Sequence, residues 1–192
     1  VSSLIDQMKS ITEIVLNDWT TAYRDEFIAS TENSASSAVN KFVNDFIYYF
    51  EKGLRANKIG IPAGNFSSTP LPHTVEGYYV RETSKDLTLE ALNAFQNLFN
   101  GTHYITNDSG VGFTDYLNYL DRNDLVNLIN NQLDEARAKI SILDDNYFDQ
   151  INNDNTKMTQ AYDALQTVVV LIKVDMLQAF NISVDYVDAD GD

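Results

Sequence analysis

The chain has 192 residues, 44% of them hydrophobic, enough for a real core in one domain. Its formal net charge of −15 argues against nucleic acid and anionic membrane surfaces, because phosphate binding needs a basic patch. The absence of cysteine excludes disulfides and thiolate chemistry, and the two histidines, His73 and His103, limit any metal site to two imidazoles from this chain.

The first residue is Val and no charged-then-apolar leader precedes the first amphipathic stretch, the pattern of a processed or cut chain. Leu4, Met8, Ile11, Val15, Trp19, Ala22 and Phe27 recur at helical spacing and predict one long helix over about residues 2–30. Ser34 or Ser36 can cap a second helix. Its buried face is Val39, Phe42, Val43, Phe46, Ile47, Phe50 and Leu54, and its expected end is near Asn57, ahead of Gly60 and Pro62. Tyr48 and Tyr49 widen its apolar surface.

The stretch Gly53–Tyr79 then holds all three prolines and four of the eight glycines. Proline fixes φ and lacks a donor, and glycine admits positive φ, so regular helix is not expected there. Interleaved apolar residues (Ile59, Ile61, Phe66, Leu71, Val75, Tyr78) predict an ordered loop packed on the scaffold, the place to look for a site.

Ser84 reads as the N-cap of a helix ending at Asn100-Gly101, followed by a polar loop over 102–112 and a short helix from Phe113 to Leu120. Leu125, Ile129, Leu133, Ala136, Ile140, Leu143, Tyr147 and Ile151 predict one helix of about 28 residues, with Asn152–Asn155 as the turn after it. The last helix carries Met158, Leu165, Ile172 and Met176. Within it the longest apolar run of the chain, Val168 to Ile172, is too short to span a bilayer and apolar on every side. These elements make an all-α fold. It is a helical bundle of four long helices with two shorter ones and one long Pro/Gly-rich ordered loop, read as a single domain over 1–192.

Three constellations carry chemistry. His73-Thr-Val-Glu76 has a spacing that puts both side chains on one face of a first helical turn, where they could ligate a metal. Glu51, Arg55 and Lys58 form either a solvated ion-pair face or a cationic clamp at the mouth of the loop. Asp185, Asp188, Asp190 and Asp192 resemble part of a calcium loop, but the chain ends before a closing Glu, so a solvated acidic tail is the reading taken. No nucleophile elbow, phosphate-binding loop, His-Glu-x-x-His or dinucleotide fingerprint occurs.

Leu54-Arg-Ala-Asn-Lys-Ile-Gly-Ile-Pro-Ala-Gly64 and Leu71-Pro-His-Thr-Val-Glu-Gly-Tyr-Tyr79 resemble the carboxy-terminal half of imelysin-like proteins. So do Asn40–Phe46 and Asn181–Asp192. The resemblance implies a bacterial envelope protein (periplasm or outer surface, often lipid-anchored) of two packed helical halves, linked to iron-regulated uptake and filed among peptidases. It implies iron or another divalent metal as cofactor or cargo. The implied partner is the amino-terminal half of the same protein, with a homo-oligomer as the alternative and no nucleic acid.

The family signature, Gly-x-His-x-x-Glu, belongs to the amino-terminal half. His73 and Glu76 copy its spacing, but Leu71 stands where the glycine should be, so the signature's role is not transferred to them. On chemical grounds Arg55, Lys58 and Glu76 are the candidate ligand-binding residues of this chain, and no catalytic residue is assigned. The leading expectation is a non-catalytic, metal- or iron-linked binding module with its site facing the other half. The alternatives are a metallopeptidase whose catalytic residues lie in that half, and a helical interaction domain.

Overall fold

The computed structural model describes residues 2–187, and among them every regular element is helical, apart from an isolated antiparallel bridge between Thr102 and Ser109. Asp188, Asp190 and Asp192 of the acidic tail lie outside the described residues. Residues up to Phe42 form one compact unit and those from Val43 onward another.

In the first unit the expected long helix is two, α1 (Ser2–Thr20) and α2 (Ala22–Ala29), broken at Thr21 with φ −122° and ψ −102°. The reason is local. Thr20 and Thr21 are β-branched neighbours whose hydroxyls both donate back to carbonyls, of Leu16 at 2.9 Å and Asn17 at 2.7 Å, in competition with the helix ladder. Trp19 packs on Phe27 (5.2 Å between ring centroids) and Phe27 on Phe42 (6.2 Å). Leu4, Met8, Ile11 and Val15 are exposed. Neither Ser34 nor Ser36 caps the next helix. Their hydroxyls bond each other at 3.2 Å, and Ser30 Oγ takes the Ala38 N–H at 3.0 Å.

The division between the units falls inside α3 (Ala38–Tyr48). This helix does not end near Asn57. It runs on as a π-helical segment, π1 (Tyr49–Gly60), and closes as α4 (Ile61–Ala63), where Gly64 takes φ +88°. The buried stripe explains the wider turn. Val43, Phe46/Ile47, Phe50 and Leu54 step by three or four, but the next side chain of the hydrophobic core is Ile59, five on. A turn with bonds to the fifth residue back, such as Ile61 N–H to Ala56 O, keeps both Leu54 and Ile59 inside. Pro62, which has no N–H to give, stands in the first turn of α4.

Gly60 is helical, and its role is close approach. A Cβ there would lie 2.5 Å from the Phe66 ring and 2.7 Å from Tyr162. The chain then folds back onto the helix end. Asn65 N–H reaches Gly60 O at 2.9 Å, Leu71 N–H reaches Pro62 O at 2.8 Å, and Asn155 Nδ2 donates to Ala63 O at 2.8 Å. Short 3-10 turns follow at Pro72–Thr74 and Arg81–Thr83, with Val75 buried between them.

Ser84 is the first residue of α5 (Ser84–Asn100), not its cap, and its hydroxyl donates to Glu76 O at 2.8 Å. Gly101 ends α5 in the left-handed region, as expected. After α6 (Phe113–Tyr119), the expected 28-residue helix is split into α7 (Asn123–Ser141) and α8 (Tyr147–Val170). Asn146 caps α8 by accepting the Asp149 N–H, and buried Gln150 serves both irregular points: its Oε1 accepts Asp144 N–H and its Nε2 donates to Asp154 O, where α8 kinks. Leu143, Tyr147 and Ile151 are nonetheless buried, so the inward spacing carries across the break.

The final helix continues through a second π segment, π2 (Leu171–Met176), into α9 (Leu177–Phe180). Of the apolar run, Val168, Val169, Leu171 and Ile172 are buried inside this unit, while Val170 is about half exposed. Phe50 is buried too, and Tyr48 packs on Tyr186 at 5.0 Å. The core centres on α3/π1, α5, α7 and α8/π2, with Phe46 stacked on Phe95 at 3.9 Å.

Candidate functional site

The segment π1 has two working faces. Glu51 and Arg55 point inward. Arg55 is 0% exposed and Glu51 2%, so the solvated-face reading of this trio is corrected. Arg55 Nη1 donates to Tyr162 Oη at 2.8 Å and to Gln166 Oε1, while Nη2 stands 3.6 Å from Glu51 Oε1. The guanidinium also lies 5.4 Å from the Phe66 ring centroid and 5.3 Å from that of Tyr162. Glu51 Oε2 accepts from Lys173 Nζ at 3.1 Å and Tyr186 Oη at 3.0 Å. A buried carboxylate is thus flanked by two basic side chains and a phenol, so each of these buried polar groups has partners away from water.

Lys58 belongs to the other face. In the widened turn, residues seven apart no longer share a side, and Lys58 pairs with Glu76 from the returning loop. Together with Tyr49, Gly53, Asn57 and Thr74, they line a cavity of about 370 Å3. Tyr49, Gly53 and Asn57 descend π1 four residues at a time, and the 3-10 turn at Pro72–Thr74 brings Thr74 opposite. Burial first, and then the Glu76 charge, push the Tyr49 phenol above its ordinary range, so it is a proton-bearing donor at neutral pH. A larger depression of about 540 Å3 lies at the 102–112 loop, against His103, Thr106 and Asp108. His103 Nδ1 accepts the Thr106 N–H there at 3.2 Å.

Of the sequence candidates, Lys58 and Glu76 therefore meet at one pocket, and Arg55 sits behind it. His73 is exposed, in a turn that ends at Thr74; Val75 is extended (φ −60°, ψ 139°), so His73 and Glu76 are not on one helical face as expected. Among the described residues no group of three or more His, Cys, Asp or Glu side chains could hold a metal ion. Glu76, the carboxylate that could begin such a group, already faces the Lys58 ammonium, which repels a cation. These residues by themselves do not fit a metal.

The sequence reading missed Tyr49, Gly53, Asn57 and Thr74. A glycine set between Tyr49 and Asn57 inside an apolar helix was the available signal, because a helical glycine costs stability unless something uses the space.

Compared with known protein families, residues 1–172 match the family model described as Imelysin, peptidase M75. The chain belongs to the imelysin family. No curated protein and no solved structure matches it. Among the described residues of this imelysin chain, no helix is long and apolar enough to cross a membrane.

Proposed function

We propose that this imelysin chain is a non-catalytic binding module of the bacterial envelope, taking a small polar ligand at the Lys58–Glu76 pocket. One observation carries the reading: a cation from π1 and a carboxylate from the returning loop meet at a cavity edged by a phenol, an amide and a hydroxyl. Few convergent polar groups on a largely pre-formed wall are what ligand sites use. Lys58 and Glu76 are the ligand-contacting residues in this reading, and Arg55 positions π1 from behind. The link to metal or iron uptake comes from the family resemblance; a metal cargo would bring or find its donors beyond the residues gathered here.

The alternative, a metallopeptidase completed by another segment, is separated by assay. The purified chain, given peptide substrates with zinc or iron, is expected to leave them intact. Metal-dependent cleavage abolished by Glu76→Gln would overturn the non-catalytic reading. We take the partner to be the amino-terminal half of the same protein, supported by the exposed apolar residues of α1. Light scattering tests this: the isolated chain should associate or bind a hydrophobic dye, and a well-behaved monomer that binds none would remove the partner from the account.

A further inference from the structure

The two charges of the pocket lie at different depths. The Lys58 side chain is 13% exposed and that of Glu76 47%, so the ammonium belongs to the inner wall and the carboxylate to the rim. Resting on the binding reading above, we propose that the ligand is a small zwitterion of the α-amino-acid class, its carboxylate directed at Lys58 and its ammonium at Glu76.

The argument is one of charge balance. In the free protein Lys58 and Glu76 neutralise each other. A zwitterion replaces that one ion pair by two, Lys58 with the ligand carboxylate and Glu76 with the ligand ammonium, and leaves no charge unmatched. A simple anion takes Lys58 and strands Glu76 beside another negative group. A simple cation takes Glu76 and strands an ammonium that is nearly buried, the costlier fault. The pocket therefore discriminates against both monopoles by the charge each leaves behind.

The neutral groups agree with this. The Asn57 amide can donate to a remaining lone pair of the carboxylate, and the Thr74 hydroxyl, whose proton goes to Leu71 O at 2.8 Å, offers an acceptor to the ligand ammonium. The Tyr49 phenol adds a donor. Its ring lies over the bare backbone of Gly53, where a Cβ would stand 3.0 Å from it, and this gives a ligand side group an apolar wall.

The test is an amide NMR titration of the whole chain with three probes matched in size: L-alanine, propionate and ethylammonium. L-Alanine is expected to shift the amides of Gly53, Asn57 and Thr74, while the two monopoles leave them in place at the same concentration. Lys58→Met and Glu76→Gln should each weaken the L-alanine response by more than about tenfold, with the rest of the spectrum unchanged as the control for folding. Absence of an L-alanine shift would overturn the proposal. So would a propionate or ethylammonium response of equal strength, which would leave a binding site of another ligand class and the binding reading intact. That reading falls with the peptide-cleavage result above.

Discussion

Tyr147 shows how much a single buried group can reveal. It is almost wholly buried, and its hydroxyl makes no well-formed hydrogen bond; Thr88 Oγ1 close by, whose own proton goes to Ser84 O at 2.9 Å, is only a weak partner. Burial, with a smaller contribution from the Asp86 charge, pushes its ionisation well above the ordinary value of 10.0. Removing an unsatisfied buried hydroxyl while keeping the ring should cost nothing, so Tyr147→Phe is expected to leave stability unchanged or raise it by up to about 1 kcal/mol. The sign with pH follows from the raised value. The protonated phenol favours the folded chain, so this contribution is complete below the unfolded value and is lost as pH climbs past it towards the folded one. Denaturant melts of wild type and Tyr147→Phe should therefore diverge above pH 10, with wild type the weaker. A loss of more than about 1 kcal/mol in Tyr147→Phe at neutral pH would show that the hydroxyl is satisfied after all.

Among the elements, π1 is the one on which the account depends, and Gly60 is its tightest point. An added methyl there meets two aromatic rings, Phe66 and Tyr162, one of which also bonds Arg55. Gly60→Ala should destabilise by about 1–3 kcal/mol despite the helical φ that would ordinarily favour alanine. Thermal melting that rises instead would mean the rings move aside freely. Most helices were legible from apolar spacing, since burial of one stripe per helix is what shapes them. Breaks were not. The split after Ser141 was hidden because Leu143, Tyr147 and Ile151 keep the inward spacing across it, and Asp144-Asp145-Asn146 was the overlooked start signal. Conversely, Gly60 and Pro62 suggested a helix end that a wider turn avoids. The step of five from Leu54 to Ile59 was its trace, and only the fold shows which residues face in.

At the scale of the whole molecule, the surplus apolar residues of α3/π1 and of Val168–Ile172 are mostly used inside the second unit, while α1 of the first carries a run of exposed apolar residues. The site was half legible. Lys58 was found by its charge against an acidic background and Glu76 by its spacing from His73, but Arg55 was grouped with Lys58 because spacing cannot tell an inward cation from an outward one. The structure separates their tasks: Arg55 holds π1 to α8, and Lys58 faces the pocket. The most direct test of that division is to measure melting and L-alanine binding together in Arg55→Ala and Lys58→Met. The account predicts that Arg55→Ala loses about 3 kcal/mol of stability, as expected for opening a buried charged network. Lys58→Met, whose partner Glu76 stays solvated, should lose under about 1 kcal/mol yet no longer bind. An Arg55→Ala chain that melts like wild type, or a Lys58→Met chain that binds like it, would contradict the account.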